Sequence, residues 1–312
     1  MARPPAPVDH ETVNADAPSR TGSLKLGDGR RLEYAEWGDI DGVPIVHHHG
    51  MPGSRLDHAA SADLCSSLGV RVITPERPGY GLSGGLRRRT ILDWPRDVAQ
   101  LADHLKLSRF AVTGLSGGGI YALACASAIP DRLTEVVLAG CPAPLDRPEA
   151  MAGMRWENRV GLRAAALAPS LFRALAATVV RALRWNPELF LVEGTHDQPP
   201  ADRTWTALPW VRADEIENLR EAFRQGALAY AQDISLLARP WGFDLGGIDL
   251  RIRLWHGDAD RVIPLHHAKY LASMLPHGTL RVCRGEGHML LWNHIAEILA
   301  AAAGRQPLRL VR

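Results

Sequence analysis

The feature that most constrains this chain is a repeated alternation of short apolar runs with helical segments, broken once. Val43 to His48, Val70 to Thr74, Phe110 to Thr113 and Leu133 to Ala139 are short, apolar and bounded by turn residues, as buried strands are. Leu56 to Leu68, Leu92 to Leu105 and Gly117 to Ile129 lie between them and read as helices. Ahead of these, Gly22 to Trp37 reads as two strands around a Gly27-Asp28-Gly29 turn. Such alternation calls for an α/β fold with a mostly parallel, twisted sheet and helices on both faces.

The rhythm stops at residues 145–230. That stretch is rich in Ala, Arg and Leu, is divided by Pro199-Pro200 and Pro209, and offers no convincing strand. It reads as a helical insertion. Alternation resumes with a strand at Leu250 to Trp255, a helix at Leu265 to Met274, a strand at Thr279 to Cys283 and a helix at Leu290 to Ala303. The expected organisation is a flexible arm (1–21), a first core segment (22–144), the insertion (145–230) and a second core segment (231–312).

Length and composition agree. The 312 residues are 46% hydrophobic and 22% charged, which suits a large globular unit with a substantial core. A net charge of +2 is too small for a nucleic-acid surface, and Arg87-Arg88-Arg89, the one compact basic run, reads as a solvated loop. No apolar run is long enough to span a membrane, and residues 1–20 lack the apolar centre of a secretory signal. Cys65, Cys125, Cys141 and Cys283 are scattered without metal-ligand spacing, so reduced, buried thiols in a cytoplasmic protein are expected. A small-molecule substrate is expected, with no cofactor, nucleic acid or membrane as partner.

The pentapeptide Gly-Leu-Ser-Gly-Gly occurs twice, at 81–85 and 114–118. A nucleophile elbow needs a strand entering, a helix leaving and small residues beside the serine. Ser116 meets this, with Phe110-Ala111-Val112-Thr113 before it and a run of small and apolar residues after it. Ser83 follows a Pro- and Gly-rich loop and precedes three arginines, so it reads as an ordinary loop serine.

A serine hydroxyl needs a histidine to take its proton and an acid to orient that histidine, in the chain order Ser, Asp or Glu, His. Beyond the insertion, His256 to Pro264 and Gly285-Glu286-Gly287-His288 each follow a strand. Asp260 is the preferred acid and His288 the base. Asp258, which can cap the turn, and Asp146 are the weaker acids. The oxyanion donors are expected from the backbone N–H of Gly117 and of Met51 in the loop His49-Gly50-Met51-Pro52-Gly53, since Pro52 has none. His47-His48-His49 does not read as a metal site, because successive strand residues alternate faces. No metal is expected.

These residues resemble those of the α/β-hydrolase superfamily, over roughly Gly22 to Ala303. The loop at 49–53 resembles the family's oxyanion loop. Glu76-Arg77-Pro78-Gly79-Tyr80-Gly81-Leu82-Ser83 resembles the family's D-R-P-G-x-G-x-S loop, with Glu76 replacing the usual Asp, which accounts for the second pentapeptide. Gly257, Asp260 and Pro264 match the acid loop, and Gly287-His288 the histidine loop. The resemblance implies that residues 145–230 form a cap over the site. His49, Gly50, Trp156, Trp205, Trp210, Phe223, Tyr230 and Trp292 are then candidates to line a pocket, the cap aromatics equally to pack cap on core. A serine at the elbow argues against the epoxide hydrolases and haloalkane dehalogenases of this fold, which use an aspartate there.

The leading expectation is hydrolysis of a carboxylic ester, lactone or thioester through an acyl-enzyme. The same triad serves aminopeptidases and amidases, C–C bond hydrolases, acyltransferases and cyclases. An aminopeptidase wants an acid facing the pocket, for which Glu193, Glu215 and Glu217 are available, although a solvated helix face equally explains the last two. A small-molecule receptor with residual hydrolysis is the alternative of another class.

Overall fold

The structure, a computed structural model, describes residues 17–57, 61–186, 188 and 198–305. Eight strands form one sheet: β1 (Arg20–Lys25), β2 (Arg31–Gly38), β3 (Val43–His48), β4 (Val70–Pro75), β5 (Phe110–Leu115), β6 (Leu133–Ala139), β7 (Ile252–Gly257) and β8 (Gly278–Cys283). Their order is β1-β2-β4-β3-β5-β6-β7-β8. β1 pairs antiparallel with β2, and β2 with β4. Every other pairing is parallel.

The central strands are largely apolar because both faces are covered. In β6, Val136 and Leu138 join one core cluster while Val137 and Ala139 join the other, as a two-residue period demands. One face carries α1 (Ala62–Ser67) and the last helix, α10 (Leu290–Ala302). The other carries α2 (Trp94–His104), α3 (Gly118–Ala128) and α9 (His266–Met274). α3 has no polar stripe because it is buried along nearly its whole length, from Gly118 to Ala126.

Between β6 and β7, the described residues hold α4 (Trp156–Leu167), α5 (Pro169–Trp185), α6 (Pro200–Thr206), α7 (Pro209–Ala222) and α8 (Leu228–Leu237). Four of the five share a core of their own, with Ala165, Phe172, Ala176, Val180, Leu219, Phe223, Ala227 and Ala231 buried together. The helical segment continues to Leu237, beyond the expected end at 230.

Two boundaries differ from expectation. The first strand starts at Arg20, inside the stretch read as an arm, because residues 20–25 pair with β2; residues 1–16 lie outside the described ones. The helix expected from Leu56 to Leu68 is only Ala62–Ser67. Ser61 stops it from extending backwards: its backbone is extended and its hydroxyl caps the N–H of Leu64. Ser54 to Asp57 forms a turn instead, with Asp57 N–H bonded to Ser54 O at 3.1 Å. Among the described residues, no helix is long and apolar enough to cross a membrane.

Candidate active site

Parallel strands deliver their following loops to one edge of the sheet, and the candidate residues collect there. Met51 follows β3, Ser116 follows β5, Asp260 follows β7 and His288 follows β8.

Ser116 sits at φ 50°, in the left-handed region that costs a non-glycine residue on the order of 1 kcal/mol. Its N–H donates to Ala139 O at 2.8 Å and its carbonyl accepts from Gly119 N–H at 3.0 Å, which hold the turn. The neighbours must be small. A Cβ on Gly118 would lie 2.0 Å from His48 O, and one on Gly117 would lie 2.4 Å from Met51 Sδ. The elbow is therefore packed directly against the loop after β3.

Ser116 Oγ lies 3.0 Å from His288 Nε2, and His288 Nδ1 lies 2.8 Å from Asp260 Oδ2. Asp260 is 4% exposed, and its other oxygen accepts the N–H groups of Val262 and Ile263, both at 2.8 Å. Burial pushes its carboxyl upward, but the charge and hydrogen bond of His288 outweigh burial and hold it below the usual carboxylate range. Burial alone would lower His288. Asp260 first, then Asp202 and Glu215, raise it instead. With a proton on Nδ1 facing Asp260, Nε2 is left to accept the serine hydroxyl.

The competing candidates stand elsewhere. Asp258 accepts Gly285 N–H at 2.7 Å, tying its loop to the one after β8, and Asp146 is exposed. Ser83 is buried and its hydroxyl accepts Glu33 N–H at 2.9 Å. The imidazoles of His47 and His48 both turn to Thr113, one to its hydroxyl and one to its carbonyl, while His49 Nδ1 contacts Gly50 O.

Several residues of the site were not found from sequence. Asp202, from the first turn of α6, is 3% exposed and accepts the backbone N–H groups of Gly287 at 3.0 Å and His288 at 2.8 Å. Gly287 is required there, since its Cβ would fall 2.3 Å from Asp202 Oδ2. The loop after β3 has a similar brace. Asp57 accepts Gly50 N–H at 2.6 Å, and Arg77 donates to the carbonyls of His49 and Gly50 at 2.5 and 2.7 Å. Arg77 also binds Asp233 of α8 at 2.9 Å, and Asp233 further accepts Tyr80 OH, Tyr121 OH and Arg89. Nothing local to residue 202 or 233 marks these roles, because each partner lies more than 80 positions away along the chain.

The aromatic candidates separate. Trp205, Trp210 and Trp292 pack on one another, with ring centroids 5.5 to 6.2 Å apart, and Trp205 Nε1 donates to Asn293 Oδ1 at 3.0 Å. They join α6 and α7 to α10. Tyr230 packs edge-on to the buried Phe223. Trp156 is 68% exposed and faces solvent at the start of α4, so it is corrected from a pocket candidate to a surface residue. Its helix buries only Leu162 and Ala165.

Glu215 and Glu217, taken together as one helix face in sequence, also separate. Glu217 is exposed. Glu215 is partly buried within electrostatic reach of His288 and Asp57, and burial, then Asp57 and Asp214, raise its carboxyl to about 8. Glu193 lies outside the described residues.

This fold and this convergence of loops define a class. Residues 43–295 match the model of the alpha/beta hydrolase fold, and the chain belongs to that family. It is 27% identical over 278 residues to a non-heme haloperoxidase of Rhodococcus erythropolis, covering 85% of this chain and 92% of that one. It is 32% identical over 126 residues to a proline iminopeptidase of Arabidopsis thaliana, covering 39% of this chain and 33% of the plant protein. An esterase of Exiguobacterium antarcticum superposes with a TM-score of 0.67 at 18% identity, over 90% of this chain and 98% of that one, a likeness of fold.

Proposed function

We propose that the chain is a serine hydrolase that cleaves a carboxylic ester, lactone or thioester of a small molecule. The observation that carries this reading is the unbroken chain of contacts from Ser116 Oγ through His288 to Asp260, at 3.0 and 2.8 Å.

His288 Nε2 takes the hydroxyl proton as Ser116 Oγ attacks the carbonyl carbon. Asp260 stabilises the imidazolium that forms. The carbonyl oxygen gains the negative charge and turns to the N–H groups of Gly117 and Met51. Each such donor lowers the barrier by about 3 kcal/mol. When the tetrahedral adduct collapses, the alcohol or thiol leaves with the proton from His288. Water, deprotonated by His288, then releases the acyl group and restores the serine. Family membership supports hydrolase activity, and the esterase among the structural neighbours shares this fold.

The test is hydrolysis of short p-nitrophenyl esters by the purified chain, with Ser116→Ala as the control. Turnover and a fluorophosphonate label are expected on the native protein and neither on the variant. Ester turnover that persists in Ser116→Ala overturns the reading. A chain that takes no label yet binds a small molecule tightly is a receptor.

Glu215 favours a second reading, an amidase or aminopeptidase for substrates with a free amine. A partly buried carboxyl within electrostatic reach of His288 suits an ammonium group. A proline iminopeptidase is among the relatives. Because Glu215 holds its proton up to about 8, such a substrate must displace that proton, and its KM falls as the pH rises toward 8. Amine-bearing amides that turn over no faster than their N-acetylated forms exclude it.

A further inference from the structure

Behind the loop that carries His288 lies a cluster the proposed reaction does not use. Cys283 ends β8, Glu286 precedes Gly287-His288, and His294 lies in the second turn of α10. One ligand atom from each lies within 4.8 Å of the other two. His294 Nε2 is 3.0 Å from Glu286 Oε1. Cys283 is 5% exposed, and the side chains of His294 and Glu286 are 15% and 18% exposed. Among the described residues, no other three His, Cys, Asp or Glu side chains converge in this way.

A thiolate, an imidazole and a carboxylate form a donor set for a tetrahedral, borderline-soft ion, with bonds of about 2.0 to 2.3 Å. Ligand atoms around such an ion sit about 3.5 Å apart, so the three side chains need only small adjustments to close on one. The thiolate argues against Mg²⁺ and Ca²⁺, which take oxygen. The surroundings already resemble an outer shell. The second imidazole nitrogen of His294 lies 3.5 Å from Glu297 Oε2, and Glu297 is itself paired with Arg281. Asn293 Nδ2 donates to the other Glu286 oxygen at 3.3 Å. A carboxylate on the far side of a ligating imidazole fixes its ring and its tautomer.

We propose that Cys283, Glu286 and His294 form a binding site for one Zn²⁺-type divalent cation, with water in the fourth position. One thiolate and one carboxylate neutralise the ion, and binding releases the thiol proton and any proton held by the imidazole. The ion is a strut. Glu286 O also accepts Ala259 N–H at 2.9 Å, so the ion ties the end of β8, the Asp260 loop, the His288 loop and α10 together. The sequence signals none of this, because the Cys-x2-Glu-x7-His spacing becomes a cluster only when α10 folds back beside β8.

The experiment is a Co²⁺ titration of tag-free, chelator-stripped full chain, followed by thiolate-to-cobalt absorption and by elemental analysis after dialysis. One equivalent per chain with a thiolate band is expected. Cys283→Ser removes the band, and His294→Ala and Glu286→Gln each weaken binding at least tenfold. Zn²⁺ raises the thermal midpoint of the native chain but not of these variants. Ser116→Ala, which removes the proposed nucleophile, binds cobalt as the native chain does, so this test does not depend on the hydrolase reading. No thiolate band on the native chain overturns the proposal, as does cobalt binding unchanged in Cys283→Ser, which points to surface histidines. Should Cys283→Ser fail to fold, the partly exposed Glu286→Gln decides: undiminished affinity there also overturns it.

Discussion

Asp202 in the helical insertion accepts the backbone N–H of His288 at 2.8 Å, so a helix of the insertion holds the loop that carries the candidate base. The helical insertion thus braces part of the candidate site. A 1 Å displacement of a reacting group can cost about a hundredfold in rate. Asp202→Ala is expected to lower kcat toward esters by up to about that factor with little change in KM. Steady-state kinetics check this, and an unchanged kcat removes Asp202 from the site.

Asp260 and Asp258 are two positions apart, yet only Asp260 reaches His288. Asp260→Asn is expected to reduce kcat by about 10⁴, because the amide favours the wrong imidazole tautomer. Asp258→Asn keeps an amide oxygen to accept Gly285 N–H and leaves kcat close to the native value. Parallel kinetics on the two variants decide, and equal losses contradict the assignment.

His288 is raised above 6.5 by Asp260 first and Asp202 next, against burial. The raised group keeps its proton, and so stays inactive as a base, to a higher pH. In chelator-treated protein, kcat/KM toward esters is expected to climb with pH through a midpoint above 6.5. Asp202→Asn removes a negative charge and shifts that midpoint downward. A native midpoint at or below 6.5 contradicts the geometry.

Asp233 is fully buried between Arg77 and Arg89, and their charges, with hydrogen bonds from two tyrosines, overcome burial and depress its carboxyl. Removing one partner of such a cluster strands buried charge at a cost of about 3–5 kcal/mol. Asp233→Asn is expected to lower the denaturant midpoint accordingly. The sign for pH follows from the depressed value: this contribution is full above the ordinary 3.8 and is lost as the pH falls through the lower folded value. Chemical denaturation at neutral pH tests the first, and a gap between variant and native chain that narrows as the pH is lowered below 3.8 tests the second.

Ser116 was legible in sequence because an elbow is local. The entering strand, the small residues and the leaving helix all lie within about 20 positions, and each follows from periodicity or size. His288 and Asp260 were legible because parallel strands send their loops to one edge, so order along the chain predicts meeting in space. The short helix at Ala62–Ser67 was misjudged in length, since apolar spacing continued upstream of a serine cap.

Sequence alone determined the alternating core, the candidate nucleophile at a strand-to-helix elbow, the chain order of the residues that meet it and the place where an insertion interrupts the sheet. Only the tertiary structure decided which residues of that insertion matter. Trp156 faces outward, Glu215 lies partly buried within electrostatic reach of His288, and Asp202 and Asp233 clamp loops far away along the chain. The physical reason is that strand and helix periods report which face of an element is buried, whereas a hydrogen bond across more than 80 positions depends on how whole elements are packed. Cys283, Glu286 and His294 belong to the same category: unremarkable along the chain, they become a cluster only where β8 and α10 meet.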